Sequence, residues 1–242
     1  MGYHESLTEG RNAVLEAFRS GKTVDRLFVL DGCQDGPVKT ILREAKKQDT
    51  MVQYVKKERL DQLSETKNHQ GVIAYCAACE YAEVSDILEN AKKKGEAPFI
   101  VLLDGIEDPH NLGAIIRTAN QAGAHGVIIP KRRAVGLTAT VARTSAGAVN
   151  YTPVAKVTNL VTVMEDLKKE GMWFVCADMD GEEMYSLNLK GPIGLVIGNE
   201  GEGVSRLVKE HCDMVASIPM KGDIDSLNAS VAMGVLAYEI VR

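Results

Sequence analysis

Apolar residues recur along this chain in two alternating patterns, helical spacing and short unbroken runs. Ala13, Val14, Ala17 and Phe18 fall on one face of a helix over Arg11–Arg19, with Gly21 as its stop. Arg26–Leu30 is a short apolar run and predicts a strand. Pro37 opens a helix that runs through Lys47. Val52–Val55 predicts a second strand, Arg59–Leu63 a short helix, and Val72–Cys76 a third strand after His69-Gln70-Gly71. Strand and helix alternate, which is the pattern of an α/β unit.

A charged helical stretch, Val84–Lys94, then leads to a longer series. Phe99–Leu103 is apolar throughout, as in a central strand of a parallel sheet. A helix is predicted after Asp108-Pro109-His110-Asn111, through Ile115, Ile116, Ala119 and Ala122 to Gly123. Gly126–Pro130 is the next strand. Thr138–Arg143 reads as helical, and the small residues 144–148 allow close packing. Strands are predicted at Tyr151–Val154, Trp173–Ala177, Leu195–Ile197 and Val215–Ile218, with an amphipathic helix over Leu160–Glu170. Ser226 is positioned to cap a last helix from Leu227 to about Val241. The fold class is therefore α/β, with an N-terminal unit over 1–78, a linker over 79–96 and a second domain over 97–242.

Composition narrows the picture. The chain has 242 residues, 45% of them hydrophobic, and a net charge of -5. Whole-chain charge does not advertise nucleic-acid binding, but its distribution is uneven. Residues 1–78 carry one more basic than acidic residue, while residues 79–242 carry six more acidic than basic. Five cysteines without framework spacing point to a reducing cytoplasm. The start, Met1–Glu5, has no apolar signal region, and no apolar run is long enough to span a bilayer. Cys76-Ala-Ala-Cys79 stands without a second pair or a nearby histidine. It reads as buried thiols at a strand end, and no metal is expected.

Three clusters carry candidate chemistry. Asn111 and Arg117 lie six residues apart, one where a helix begins and the other more than a turn inside it. Arg117 has apolar neighbours, so it needs a partner. That partner is either Glu200, in a salt bridge, or a bound phosphate or reacting hydroxyl. Gly198-Asn199-Glu200-Gly201-Glu202-Gly203 follows a strand, and its glycines let backbone approach a ligand. By itself it is a weak signal, because it lacks the order of the dinucleotide and P-loop motifs. Ile218-Pro219-Met220 through Ser226-Leu227-Asn228 is otherwise an ordinary strand, loop and capped helix.

In this order the three clusters resemble the motifs of the SpoU (TrmH-type) family of RNA ribose 2'-O-methyltransferases, within the SPOUT superfamily. The resemblance covers the second domain. Gly10-Arg11-Asn12-Ala13-Val14 and His69-Gln70-Gly71-Val72 resemble the small ribosomal-protein-L30e-like RNA-binding unit of the same enzymes. The chain looks closest to the RlmB type, which methylates a guanosine ribose in 23S rRNA.

The resemblance implies a C-terminal deep trefoil knot around a mainly parallel sheet, where periodicity alone predicts an ordinary doubly wound sheet. It implies S-adenosylmethionine as cofactor, held by Gly198, Ile218 and Leu227, with Asn199, Gly201, Pro219 and Met220 shaping the pocket. It implies a catalytic group of Asn111, Arg117, Glu200, Ser226 and Asn228, and a homodimer. RNA contacts fall to Arg11 and Asn12 and to the basic run Lys131-Arg132-Arg133. Arg117 is either the base, as family proposals have it, or a phosphate clamp, which its high pKa favours. A tRNA substrate, a non-catalytic RNA-binding protein and a nucleotide-binding enzyme without RNA are the competing functions.

Overall fold

The structure, a computed structural model, describes residues 6–242. Met1–Glu5, where a secretion signal would begin, lie outside the described residues. The chain forms two compact units. The first takes in the described residues through Glu80 together with Gly136–Ala139, and the second Tyr81–Val135 and Thr140–Arg242.

In the first unit, strands β1 (Ser6–Glu9), β2 (Val24–Leu30), β3 (Met51–Val55) and β4 (Val72–Cys76) form one sheet in the order β1-β4-β2-β3. Helices α1 (Arg11–Arg19), α2 (Gly36–Lys47) and α3 (Lys57–Leu63) connect them. Alternate residues of β2 face opposite sides of the sheet. Leu27 and Val29 pack with Val14, Phe18, Val38 and Ile41 from α1 and α2, and Phe28 packs with Leu60 of α3. Strand β1 has no counterpart in the apolar pattern, since Leu7 is its single apolar residue. Antiparallel pairing with β4, from Ser6↔Cys76 to Glu9↔Ile73, makes it a strand. Cys76 is buried and Cys79 partly buried, both as free thiols.

The second unit holds β5 (Phe99–Asp104), β6 (Gly126–Pro130), β7 (Val154–Val157), β8 (Trp173–Glu183), β9 (Ile193–Gly198) and β10 (Met214–Ser217). All pairings in this sheet are parallel, in the order β10-β8-β9-β5-β6-β7. Helices α4 (Val84–Lys94), α5 (Pro109–Gln121), α6 (Ala139–Thr144), α7 (Leu160–Lys169), α8 (Arg206–Glu210) and α9 (Ala229–Ile240) accompany it. The helix over 84–94 does not behave as a solvated linker. Its Ile87 is fully buried in the core of this unit with Ile100, Ile128, Leu167 and Phe174. Gly126 makes the room, because a Cβ there would stand 2.5 Å from the Ile87 side chain. Burying such a side chain contributes about 1.5–3 kcal/mol.

Two strands differ from the apolar pattern. The strand expected at Tyr151–Val154 begins at Val154, its partner being Val127, and Tyr151 is exposed. Strand β8 continues to Glu183, beyond the strand expected over Trp173–Ala177. Strand β10 pairs with Val175 and Cys176, then with Glu182 and Glu183, so residues 177–181 form an excursion within the strand.

Strand order fixes where a ligand crevice lies. From β5 the chain moves across the sheet to β6, and from β9 it moves the other way to β10. These two strands are neighbours, paired through Asp104↔Gly198. Connections leaving their carboxyl ends diverge, which opens a crevice there.

Candidate active site

At that crevice three side chains from distant segments meet. Asn111 sits in the first turn of α5, which Asp108 caps by accepting from the His110 N–H. Asn228 caps α9, its Oδ1 accepting from the Ser230 N–H at 3.0 Å and the Ser230 hydroxyl at 2.6 Å. Those acceptor contacts turn its amide nitrogen inward. Asn228 Nδ2 donates to Asn111 Oδ1 and to Glu200 Oε1, each at 2.9 Å. Asn111 Nδ2 donates to Glu200 Oε1 at 2.6 Å, and the Ala229 N–H reaches the same oxygen at 3.4 Å. Both helix N-termini thus face the Glu200 carboxylate, whose charge they complement. Glu200 Oε2 has no hydrogen-bond partner among the described residues and is open to a donor.

Glu200 is carried by a turn that organises itself. Asn199 Oδ1 accepts from the Gly201 and Glu202 N–H groups at 2.9 and 2.7 Å. The Gly203 N–H closes the loop on Asn199 O at 3.0 Å. Gly198 is buried at the end of β9, and a Cβ there would lie 2.0 Å from the Gly203 carbonyl carbon. The turn's own backbone therefore demands this glycine.

The cleft beside this node has a volume of about 450 Å³ and is lined by Gly105, Glu107, Asp108, Arg133, Asn199, Glu200 and Glu202. Glu107 and Asp108 escaped the sequence reading. Their signal is the Asp-Pro helix start directly after a buried strand.

Other singled-out residues stand apart from the node. Arg117 is exposed on α5 and has no hydrogen bond or ion pair among the described residues. Of the two partners considered for it, the salt bridge with Glu200 is absent among the described residues. Six helical positions separate Arg117 from Asn111 by about 9 Å along the axis and about 120° around it. The apolar neighbours at 115, 116 and 119 face the core, while Arg117 faces solvent. Ser226 is exposed and does not cap the last helix, which starts at Ala229 under Asn228.

Ile218 and Pro219 are partly buried just beyond β10, Met220 is exposed, and Leu227 is partly buried just before Asn228. Residues 219–227 make no hydrogen bond among the described residues, so their backbone groups are free to meet a ligand. Strands β9 and β10 flank β8, which places Gly198 and Ile218 at the carboxyl ends of strands on either side of it.

The expected basic contacts are partly engaged already. Arg133 pairs with Glu202 at 3.0 Å and Arg11 with Asp35 at 2.5 Å. Arg132 and Asn12 are exposed, and Lys131 is partly buried. No group of three or more His, Cys, Asp or Glu side chains among the described residues could hold a metal ion. No described helix is long and apolar enough to cross a membrane.

The SpoU rRNA methylase family model matches residues 98–238, and the RNA 2'-O ribose methyltransferase substrate-binding model matches residues 7–82. A Bacillus subtilis chain named as a TrmH-family tRNA/rRNA methyltransferase, YacO, is 49% identical over 96% of this chain and 94% of its own length. Among solved structures, the SpoU methyltransferase AviRb from Streptomyces viridochromogenes, in complex with AdoMet, is 26% identical. Its TM-score is 0.61, covering 98% of this chain and 89% of its own. The A. aeolicus TrmH/SpoU tRNA-modifying enzyme, also 26% identical, has a TM-score of 0.55 and covers 64% of this chain and 82% of its own. With its second unit and its substrate-binding unit both matched, the chain belongs to the SpoU family of RNA methyltransferases.

Proposed function

We propose that this protein methylates a ribose 2'-hydroxyl of RNA with S-adenosylmethionine as donor, at a guanosine in 23S rRNA, as enzymes of the RlmB type do. The observation that carries this reading is the Glu200 carboxylate, fixed through one oxygen by Asn111 and Asn228 and open at the other. A ribose hydroxyl is a poor nucleophile until its proton is withdrawn. A positioned carboxylate oxygen can accept that proton or hold the hydroxyl in line.

The cofactor fits the strip from Gly198 to Leu227. Ile218 and Leu227 offer partly buried apolar contacts, and the backbone of 219–227 offers donors and acceptors without internal partners. Asn199, Gly201, Pro219 and Met220 would shape its walls. When bound, the cofactor supplies a methyl group on a positively charged sulfur. Ser226, exposed next to this strip, is free to meet the ribose.

Arg117 acts as a phosphate clamp in this reading, because its guanidinium is solvent-exposed, unpaired and always charged. The chain works as a homodimer. Support comes from α9, apolar almost throughout, with Val231 and Tyr238 exposed on it and Val241 exposed just beyond it. Thr118, next to Arg117, packs against Gly234 of that helix, so Arg117 borders the apolar stripe. The C-terminal segment forms the deep trefoil knot. In support, β10 is an edge strand, yet α9 returns to pack on β9 and α5 near the middle of the sheet. The first unit, of L30e-like form over about residues 1–78, recruits the RNA, and in the second unit Arg132 and Lys131 supply further phosphate contacts. Its match to a substrate-binding model supports this. The cytoplasm, where ribosomes are made, is its place.

The test is the mass of ribose-methylated nucleosides in rRNA and tRNA from cells with and without this chain. A missing 2'-O-methylguanosine in 23S rRNA, restored by the wild-type chain, is the expected result. Loss confined to tRNA would move the substrate to tRNA, and no loss in either would overturn the reading.

A further inference from the structure

Arg11 was the natural candidate for a phosphate contact in the first unit, but its bonds go to neighbouring segments of the same unit, at a partly exposed position. Its Nη2 lies 2.5 Å from Asp35 Oδ2 and 3.9 Å from Cys33 Sγ. Its Nε donates to the Gln70 carbonyl at 3.1 Å, and its own N–H donates to Gln70 Oε1 at 3.1 Å. One side chain therefore ties together the start of α1, the start of α2 and the loop before β4. Asp35 is already committed on its other oxygen, which caps α2 through the Val38 N–H.

The loop so held is a strained one. Lys67 and Gln70 have φ of 60° and 51°, conformations that residues other than glycine seldom adopt. Such conformations persist where the surroundings over-determine them, and they cluster at ligand sites. Asn12 and Asn68 are exposed on the two segments that Arg11 joins, and the Asn68 carbonyl lies 3.6 Å from the Cβ position of Gly10. Neither amide side chain has a partner among the described residues, and neither has Gln70 Nε2.

We infer that this node binds unpaired RNA bases, with Asn12, Asn68 and Gln70 as the contacting amides and Arg11–Asp35 as a positioning pair that touches no phosphate. The Asp35 carboxylate offsets the Arg11 charge, so the pair attracts a phosphate less than an isolated arginine would. An amide offers a donor and an acceptor side by side, which matches a base edge. In RNA such edges are readable where bases are splayed out of a helix. This inference rests on the proposed RNA substrate.

The experiment is filter binding of an unmodified 23S rRNA transcript across a range of salt, with thermal stability and methyl transfer measured in parallel. Asn12→Ala and Asn68→Ala, both at the surface, are expected to weaken binding about tenfold with an unchanged slope of log affinity against log salt. Arg11→Ala and Asp35→Asn are expected to weaken it by similar factors, again with unchanged slope. Asparagine at position 35 keeps the α2 cap, so that variant retains its fold. A slope shallower by about 0.7 in Arg11→Ala, the loss of one phosphate contact on a single strand, would overturn the inference. Tighter binding by Asp35→Asn would do the same. Unchanged affinity in all four variants of a chain that still methylates RNA overturns this inference and leaves the proposed function standing. A wild-type chain that neither binds nor methylates rRNA or tRNA overturns both.

Discussion

Asn228 donates from one amide nitrogen to Asn111 and to Glu200, joining the starts of two helices 117 residues apart in the chain. Each of the three residues is thereby oriented by the other two. Hydrogen bonds to a charged group are worth about 1.5–3 kcal/mol each.

Glu200→Gln separates charge from shape. The amide oxygen can still accept from Asn111 and Asn228, so the fold is expected to persist, with a modest loss of stability because these become neutral hydrogen bonds. Methyl transfer is expected to fall by about 10²–10⁴, the usual contribution of a positioned acid–base group. Single-turnover rates with saturating RNA check this, and a near-wild-type rate would remove Glu200 from the chemistry.

Arg117→Ala is expected to leave stability and cofactor affinity intact, since Arg117 is exposed and unpaired. Most methyl transfer is expected to be lost. Arg117→Lys is expected not to restore it, because a point charge does not reproduce a planar two-pronged contact. Rates for both variants, beside cofactor binding by calorimetry, decide between clamp and bystander.

Gly198→Ala is expected to damage the fold before it damages binding. Its Cβ would stand 2.0 Å from the Gly203 backbone, with no flexible side chain to yield. The loop must move or the strand end must open, at a cost of several kcal/mol, as for other strained or overpacked sites. A wild-type melting temperature with lost cofactor binding would instead show that the ligand sets the requirement for glycine.

His125 gives the fold a pH dependence. It is buried, its Nδ1 accepting from the Phe99 N–H at 3.0 Å and its Nε2 facing Glu96 Oε2 at 3.0 Å. Burial pushes its pKa below the ordinary 6.5, with Glu96 offsetting part of the effect. Above pH 6.5 the ring is neutral in both folded and unfolded chains. As pH falls below that value, the unfolded chain takes up a proton that the folded chain resists, so stability is expected to fall. Melting temperatures between pH 7.5 and 5 check the sign, and His125→Asn is expected to flatten the trend.

Ile87→Ala tests whether the 84–94 helix belongs to the second unit's core. The expected loss is about 2–5 kcal/mol, the range for a buried aliphatic side chain. Chemical denaturation measures it, and a loss below 0.5 kcal/mol would make the helix a loose connector.

Much of this molecule is legible in its sequence. Runs such as Phe99–Leu103 and Gly126–Pro130 are apolar because both faces of the sheet are covered, and their boundaries follow. Strand β1 was not legible, because pairing rather than pattern makes it a strand. The long β8 was hidden by its own turn-like excursion at 177–181. At the site, the motifs marked Asn111, Glu200 and Asn228 as candidates, but hydrogen-bond geometry determines which of them touch. Arg117 looked in need of a protein partner because of its apolar sequence neighbours, but on a helix these are not spatial neighbours, and Arg117 faces solvent. Arg11 and Arg133 looked like free cations because their carboxylate partners lie 24 and 69 residues away.

The pairing of β5 with β9 also sets a timetable. Asp104 and Gly198 are neighbours in the sheet but are made almost a hundred residues apart, and the node waits further for Asn228. During synthesis the four strands of the first unit are all in hand by Cys76, while β5 must stand with one edge uncovered until its last neighbour emerges. Contacts of such long sequence separation form late and slowly. Catalytic competence thus waits until Asn228 and the helix it caps have been made.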